Sequence, residues 1–211
     1  MTDAPELLRD AAIGVCVADR PEGLTPFLKP GCAAALWQRE VLPIFQQWID
    51  DLDPTCLPRG RLILPPETTR QAVAELCGMS GMPASPHRNL LVDDIAALAK
   101  IFVDLTNTRW LRLRLDVVTT NACRKFHIDA VRARLVCTYR GTGTQYGNSK
   151  DGQEPTRIVT VPTGAPILLR GTLWPSETDT PLLHRSPPIE GTGEARLVLV
   201  LDPIDDPEEA V

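Results

Sequence analysis

The stretch "KFHIDAVRARLVCTYRGTGTQY", residues 125–146, sets His127 two places before Asp129. On an extended chain an imidazole and a carboxylate at that spacing share one face, where they form half of a metal site or an ordinary hydrogen-bonded surface pair. With three histidines and 16 aspartates in 211 residues, an accidental His-x-Asp is expected about one time in five, so the motif needs context. His184 lies 57 residues downstream, and Arg196 opens the apolar run that follows it. A second imidazole completes a donor set able to hold a divalent ion. The alternative is that His184 caps the turn before Pro187 and Pro188 while Arg196 pairs with Glu190 or Glu194. His87, in "GMPASPHRN", reads as a loop or cap residue before a helix. Cys123, four residues before His127, would lie about 13 Å away on extended chain and is left out of the donor set. Cys137 reads as a small buried hydrophobe.

The elements that must carry these residues change character near Asn107. In "CAAALWQREVLPIFQQWIDDL", Leu36, Trp37, Val41, Ile44, Phe45, Trp48 and Ile49 recur at three- and four-residue steps. That spacing predicts one amphipathic helix bent near Pro43. "PPETTRQAVAELCGMSG" reads as a short helix that Gly78 stops, and residues 88–107 as a third, with Leu91, Ile95, Leu98 and Phe102 on one face. After Asn107 the period falls to two. "WLRLRLDVV" alternates leucine with Arg112, Arg114 and Asp116, predicting one buried and one wet face. If Asp129 points inward along "AVRARLVCTY", parity sends Val131, Ala133, Leu135, Cys137 and Tyr139 inward and leaves Arg132 and Arg134 outside. Further strands read at "TRIVTVP", "APILLRG", "PLLHRS" and "EARLVLVLD", between Gly- and Pro-rich turns. Residues 141–156 read as a long polar loop. The expected architecture is α+β in one unit: a mainly helical part over 1–108, a barrel-like β-core over 109–204 and an acidic tail over 205–211.

Bulk properties exclude several classes. Hydrophobic content of 43% and charged content of 23% rule out disordered and collagen-like chains. A net charge of −5 argues against a nucleic-acid partner. The basic residues between Arg109 and Arg140 alternate along strands, which reads as a solvated sheet face. Six scattered cysteines without a C-x-x-C pair suggest neither a disulfide framework nor a zinc ribbon. The acidic start does not read as a secretory signal, and no run approaches the roughly 20 apolar residues of a membrane span. The expectation is a cytoplasmic protein that contacts neither nucleic acid nor membrane.

The order of these features resembles the double-stranded β-helix (cupin-like jelly roll) oxygenases that use Fe(II) and 2-oxoglutarate, with the prolyl-hydroxylase-like branch closest in texture. A His-x-Asp strand leads to a Tyr-containing strand, "RLVCTYRG", and then to "VPTGAPILLRGTLWP" and a distal His in "HRSPPIEGTGEAR". The resemblance covers residues 110–202. It implies His127, Asp129 and His184 as metal ligands. Such a trio on one face of an octahedral ion leaves three positions free, enough for a bidentate 2-oxo acid and dioxygen. It further implies that Arg196 holds the distal carboxylate of 2-oxoglutarate with help from Tyr139, and that the activity is hydroxylation of an unspecified small-molecule or protein substrate. Arg170 and Arg185 are rival anion binders, and the step from His184 to Arg196 is longer than usual. The whole chain also resembles a bacterial domain-of-unknown-function family often encoded near zinc-homeostasis genes and metal-chaperone GTPases. That neighbourhood implies an alternative, Zn2+ alone on the same three ligands in metal homeostasis with a metal-chaperone partner; a third reading is an interaction module that binds no metal.

Overall fold

Proline placement sets where the N-terminal elements begin. The computed structural model describes residues 12–149, 153–175 and 182–208. Along them run β1 (Val15–Ala18), β2 (Ala34–Trp37), α1 (Pro43–Asp51), β3 (Gly60–Leu64), α2 (Thr69–Met79) and α3 (Pro86–Thr106). Then follow β4 (Trp110–Val118), β5 (Ala133–Arg140), β6 (Gln145–Asn148), β7 (Val159–Thr160), β8 (Pro166–Arg170), β9 (Leu182–Arg185) and β10 (Arg196–Ile204). Pro43 and Pro86 open α1 and α3, where a missing N–H costs no helical bond. Ser85 caps α3 by accepting the Arg88 N–H at 3.1 Å, and Asn107 ends it in the left-handed region at φ 48°. No helix of the described residues is long and apolar enough to cross a membrane.

Three sequence expectations are corrected here. The helix expected from Cys32 onward is β2 followed by irregular chain, and only Pro43–Asp51 is helical. Pro43 starts that helix instead of bending it, because its ring permits the first turn and obstructs any turn before it. Ala34 and Ala35 are fully buried, their small side chains letting β2 sit between two packed layers. Gly78 lies inside α2, and the stop comes at Gly81, whose φ of 72° favours glycine. Residues 141–156 are not all loop: Gln145–Asn148 forms β6, anchored by the buried Tyr146.

The strands build two sheets. The large one has the order β1-β2-β8-β5-β10-β4-β3, so β1–β3 of the N-terminal part join the later strands in one sheet. The small one runs β7-β6-β9 and is extended past β9 by an isolated antiparallel bridge between His127 and His184. On one face of the large sheet, Leu111, Leu113, Leu115, Leu135, Leu199 and Leu201 pack against Leu91, Ile95, Leu98 and Phe102 of α3. Each such leucine contributes about 1.5–3 kcal/mol by leaving water. On the other face, Val136, Ile167, Leu169, Val198 and Val200 meet Tyr146, Val161 and Leu182 of the small-sheet side. β10 is buried on both faces, which is why it reads as a continuous apolar run. The arginine face of β4 is therefore not a solvated exterior: Arg112 and Arg114 line a cavity between the sheets.

The segment that carries Asp129 is held by the end of β8. Gly171 and Thr172 donate their N–H groups to the Arg132 and Asp129 carbonyls at 3.1 and 2.9 Å, and Leu173 donates to Val131. A methyl group at Gly171 would collide with the carbonyl oxygens of Val131 and Asp129. The chains approach this closely only because residue 171 lacks a side chain. Gly171→Ala is expected to destabilise the protein by about 1–3 kcal/mol, read as a lower urea midpoint, and to weaken divalent-metal binding measured on the folded fraction. Unchanged stability would show that this stitching does not constrain the Asp129 turn.

Candidate metal centre

Two backbone hydrogen bonds set the geometry. His127 and His184 each donate an N–H to the other's carbonyl at 3.0 Å, so their imidazoles stand side by side with ring centroids 4.6 Å apart. Asp129, two residues along from His127, projects to the same side. His127 Nε2 lies 3.4 Å from Asp129 Oδ1, and His184 Nε2 lies 2.9 Å from Asp129 Oδ2. One ligand atom from each residue falls within 4.8 Å of the others. Donor atoms about 2.1 Å from one ion and at right angles to each other lie about 3 Å apart, so these spacings fit a shared divalent ion. Asp129 Oδ2 adds a second observation: it is buried and receives no well-directed hydrogen bond despite the nearby imidazole. A buried oxygen in that state carries a desolvation cost that a cation removes.

Neighbours orient the donors. His127 Nδ1 sits 2.8 Å from the Lys125 carbonyl. A carbonyl can only accept, so the proton is on Nδ1 and the Nε2 lone pair is directed at the cluster. Arg134 Nη1 stands 2.5 Å from Asp129 Oδ1, while its Nε and Nη2 hold both oxygens of Asp202 at 2.6 and 2.9 Å. Burial alone would raise the Asp129 pKa; the close approach and charge of His184, then Arg134 and His127, hold it well below the ordinary carboxylate range.

Arg134 is the residue that parity assigned to the outside. The structure turns it inward because residues 129–132 are irregular, and the strand resumes only at Ala133. The same shift sends Leu135, Cys137 and Tyr139 to the helical side. There the Tyr139 hydroxyl donates to Asp94 Oδ2 at 2.6 Å, and the same carboxylate binds Arg39 through two contacts of 2.6 and 2.7 Å. Tyr139 thus lies on the face of the sheet away from the cluster, which corrects the expectation that it shares a site with Arg196. Cys137 faces the same way, its thiol pushed up to about 12 by burial.

Arg196 does line the cavity. It is 1% exposed and donates to the Thr142 carbonyl at 2.6 Å, Ser186 Oγ at 3.2 Å and Thr138 Oγ1 at 3.4 Å. Neither carboxylate considered from sequence neutralises it: Glu190 accepts from Asn121, and Glu194 accepts from the backbone and hydroxyl of Thr142. Burial brings its pKa down to about 10, with Glu194 pulling the other way. Arg185 also lines the cavity, with its guanidinium over the Phe126 ring and Nε donating to Gln145. Arg170 is not at the site; it donates to the Phe27 and Lys29 carbonyls. Cys123 reaches the rim without joining the ligand cluster. His87 stacks on Trp48 in the first turn of α3. The cavity encloses about 300 Å³ and has a floor of Val136, Val198 and Val200. Arg134, Thr138 and Ser186 went unrecognised in the sequence, although arginine alternating with leucine was a usable sign of a polar interior face.

Comparison with known proteins bears on the fold and the family. No curated protein matches the chain in sequence. Among solved structures, the dioxygenase for auxin oxidation 1 of Arabidopsis thaliana, in a 2-oxoglutarate binary complex, is similar at 11% identity and a TM-score of 0.52, covering 94% of this chain and 97% of that one. The rice dioxygenase for auxin oxidation is similar at 13% identity and a TM-score of 0.48, covering 93% and 84%. A Pseudomonas putida prolyl-4-hydroxylase follows at 14% identity and a TM-score of 0.43, covering 89% and 100%. At such identities the Arabidopsis likeness shows a shared double-stranded β-helix fold and nothing of activity. The family model described as "Protein of unknown function (DUF1826)" matches residues 18–202, most of the chain's length, and the chain belongs to that family.

Proposed function

We propose that this protein is a non-haem Fe(II)/2-oxoglutarate-dependent oxygenase that hydroxylates a C–H bond of its substrate. One observation carries it: a buried guanidinium that forms no salt bridge among the described residues shares a cavity with a two-histidine, one-carboxylate cluster. His127, Asp129 and His184 would hold the iron, and Arg196 the distal carboxylate of 2-oxoglutarate. Iron(II) with 2-oxoglutarate, when bound, supplies the activation of dioxygen. The chain's own residues prepare the place for it. The Lys125 carbonyl keeps the His127 lone pair on Nε2. Arg134 restrains Asp129 in one orientation and is itself fixed by Asp202. Thr138, Ser186 and the Thr142 carbonyl hold the Arg196 guanidinium ready for an incoming anion, so little is spent on ordering it at binding. Val136, Val198 and Val200 give the cavity an apolar side, which lowers the local dielectric and strengthens electrostatic contacts near it. A structural zinc ion would call for a fourth protein ligand, and no fourth His, Cys, Asp or Glu joins the cluster among the described residues.

Anaerobic titration with Fe2+ and then 2-oxoglutarate tests this directly. The parent is expected to develop the weak visible charge-transfer band of a chelated 2-oxo acid. His127→Ala and His184→Ala should lose tight metal binding. Arg196→Gln should keep the metal and weaken 2-oxoglutarate at least about tenfold, since a charge-assisted bidentate contact is lost. Tyr139→Phe should leave 2-oxoglutarate affinity unchanged while lowering stability by about 1–3 kcal/mol, because the Asp94 oxygen loses its donor. Metal bound as tightly by both histidine variants as by the parent would sink the assignment.

The carboxylate also predicts how the metal-free protein responds to acid. The folded-state pKa of Asp129 lies below its unfolded value, so its contribution to stability is fully present above the ordinary carboxylate value of about 3.9 and is lost as the pH falls from there. Urea unfolding between pH 5 and pH 3, on the order of that value, should show the parent losing stability more steeply than Asp129→Asn. Parallel slopes would mean that the His184 and Arg134 contacts do not stabilise the ionised form.

A further inference from the structure

Six arginines and three aspartates line the cavity that contains the His127, Asp129 and His184 cluster, an excess of positive charge before any metal is counted. Two of the aspartates, Asp129 and Asp202, engage Arg134. The third, Asp116, comes no nearer than 3.7 Å to Arg114 and is half exposed. Arg61 has no carboxylate oxygen within 4.0 Å among the described residues. Arg61 and Arg114 are also direct register partners across β3 and β4. Like charges placed opposite each other on a sheet repel, and nothing in the hydrophobic packing of these strands requires arginine at both positions. Arg114 feels this environment: burial first, and then the charge of Arg134, lower its pKa.

The position of the pair in the cavity separates it from Arg196. Arg196 is buried at the closed end against Thr138 and Thr142, whereas Arg61 is exposed. β3 and β4 form one edge of the large sheet, and the His127 segment extends the small sheet beyond β9. The cavity is lined from both edges: Arg61 and Arg114 come from the β3–β4 edge, Arg61 on its exposed side, and Arg114 is close enough to Arg134, which contacts Asp129, for the two charges to act on each other. Two guanidiniums there present several N–H donors to one anion, which would relieve their mutual repulsion.

We propose that Arg61 and Arg114 bind an anionic group, a carboxylate or phosphate, of a small-molecule substrate. The word substrate rests on the oxygenase function proposed above; the anion site itself does not. A cavity of about 300 Å³ is at the lower end of small-molecule sites, and it would also hold 2-oxoglutarate. The substrate is therefore small, and its charged group stays at the β3–β4 edge while the carbon to be oxidised points toward the metal ligands.

The test is calorimetry on the full chain loaded with Mn2+, using inorganic phosphate in one arm and benzoate, a monocarboxylate, in the other, with 2-oxoglutarate titrated in parallel. At least one of the two anions is expected to bind the parent, and the arm that responds identifies the anion class. The double variant Arg61→Gln/Arg114→Gln should weaken it at least about tenfold while leaving Mn2+ and 2-oxoglutarate affinities within about twofold. Arg61→Lys/Arg114→Lys should retain most of the affinity, separating loss of charge from damage to the fold. The proposal is overturned if neither anion binds the parent, if the glutamine variant binds as well as the parent, or if 2-oxoglutarate competes the anion away in both. Loss of anion binding only in His184→Ala would put the anion on the metal and overturn it equally. Failure of Mn2+ and 2-oxoglutarate to bind, with anion binding still dependent on the two arginines, would remove the oxygenase function and leave the anion site standing.

Discussion

The pairing of His127 with His184 through two backbone hydrogen bonds is the contact on which the site depends. Strand pairing sets the two imidazoles side by side, and it does so between residues 57 positions apart in the chain. The pairing has its own supports. His184 is the register partner of Tyr146 on β6, and Tyr146 is buried among the apolar residues between the sheets. On the other side, the end of β8 stitches residues 129–132 in place through the close approach at Gly171. Asp129 thus reaches the two imidazoles from a turn that is tied down, as precise donor placement requires.

Charge compensation in the cavity is uneven. Arg134 bridges two carboxylates, which offsets the cost of burying all three groups. Arg196 donates to neutral oxygens instead, and burial depresses its pKa more than the nearby charge of Glu194 raises it. A protein conserving only its own stability would not bury a guanidinium this way, since replacing it with an apolar residue would remove the penalty. The anion-binding role proposed for Arg196 would account for the arrangement. The arginine edge formed by β3 and β4 adds to the same positive potential, and the low-dielectric valine side concentrates it.

β5 serves two layers at once. Arg134 and Val136 line the cavity and Thr138 accepts from Arg196, whereas Leu135, Cys137 and Tyr139 face the helices. On the helical side, Asp94 gathers Arg39 and Tyr139, so a polar network beneath the sheet ties α3 to β5 and to the residues leading into α1. Burial raises the Tyr139 pKa further and keeps the hydroxyl a neutral donor. Tyr139 therefore acts on the site only by holding the strand that carries Arg134 and Thr138.

Residue type and period were enough to reveal the third helix, the alternating β4 strand and the β10 strand, and motif order singled out His127, Asp129 and His184, which the fold brings together. The remaining features depended on tertiary structure. Ala34–Trp37 has the apolar spacing of a helix and becomes a strand because β8 and β1 flank it on both sides. The irregular segment over residues 129–132 inverts the parity of β5, exchanging Arg134 and Tyr139 between the two faces, and no periodicity crosses an irregular turn. Arg112 and Arg114 looked like a solvated face because alternation identifies which face is polar, not what covers it. Only the approach of the small sheet, made by strands far along the chain, turned that polar face into the wall of a cavity.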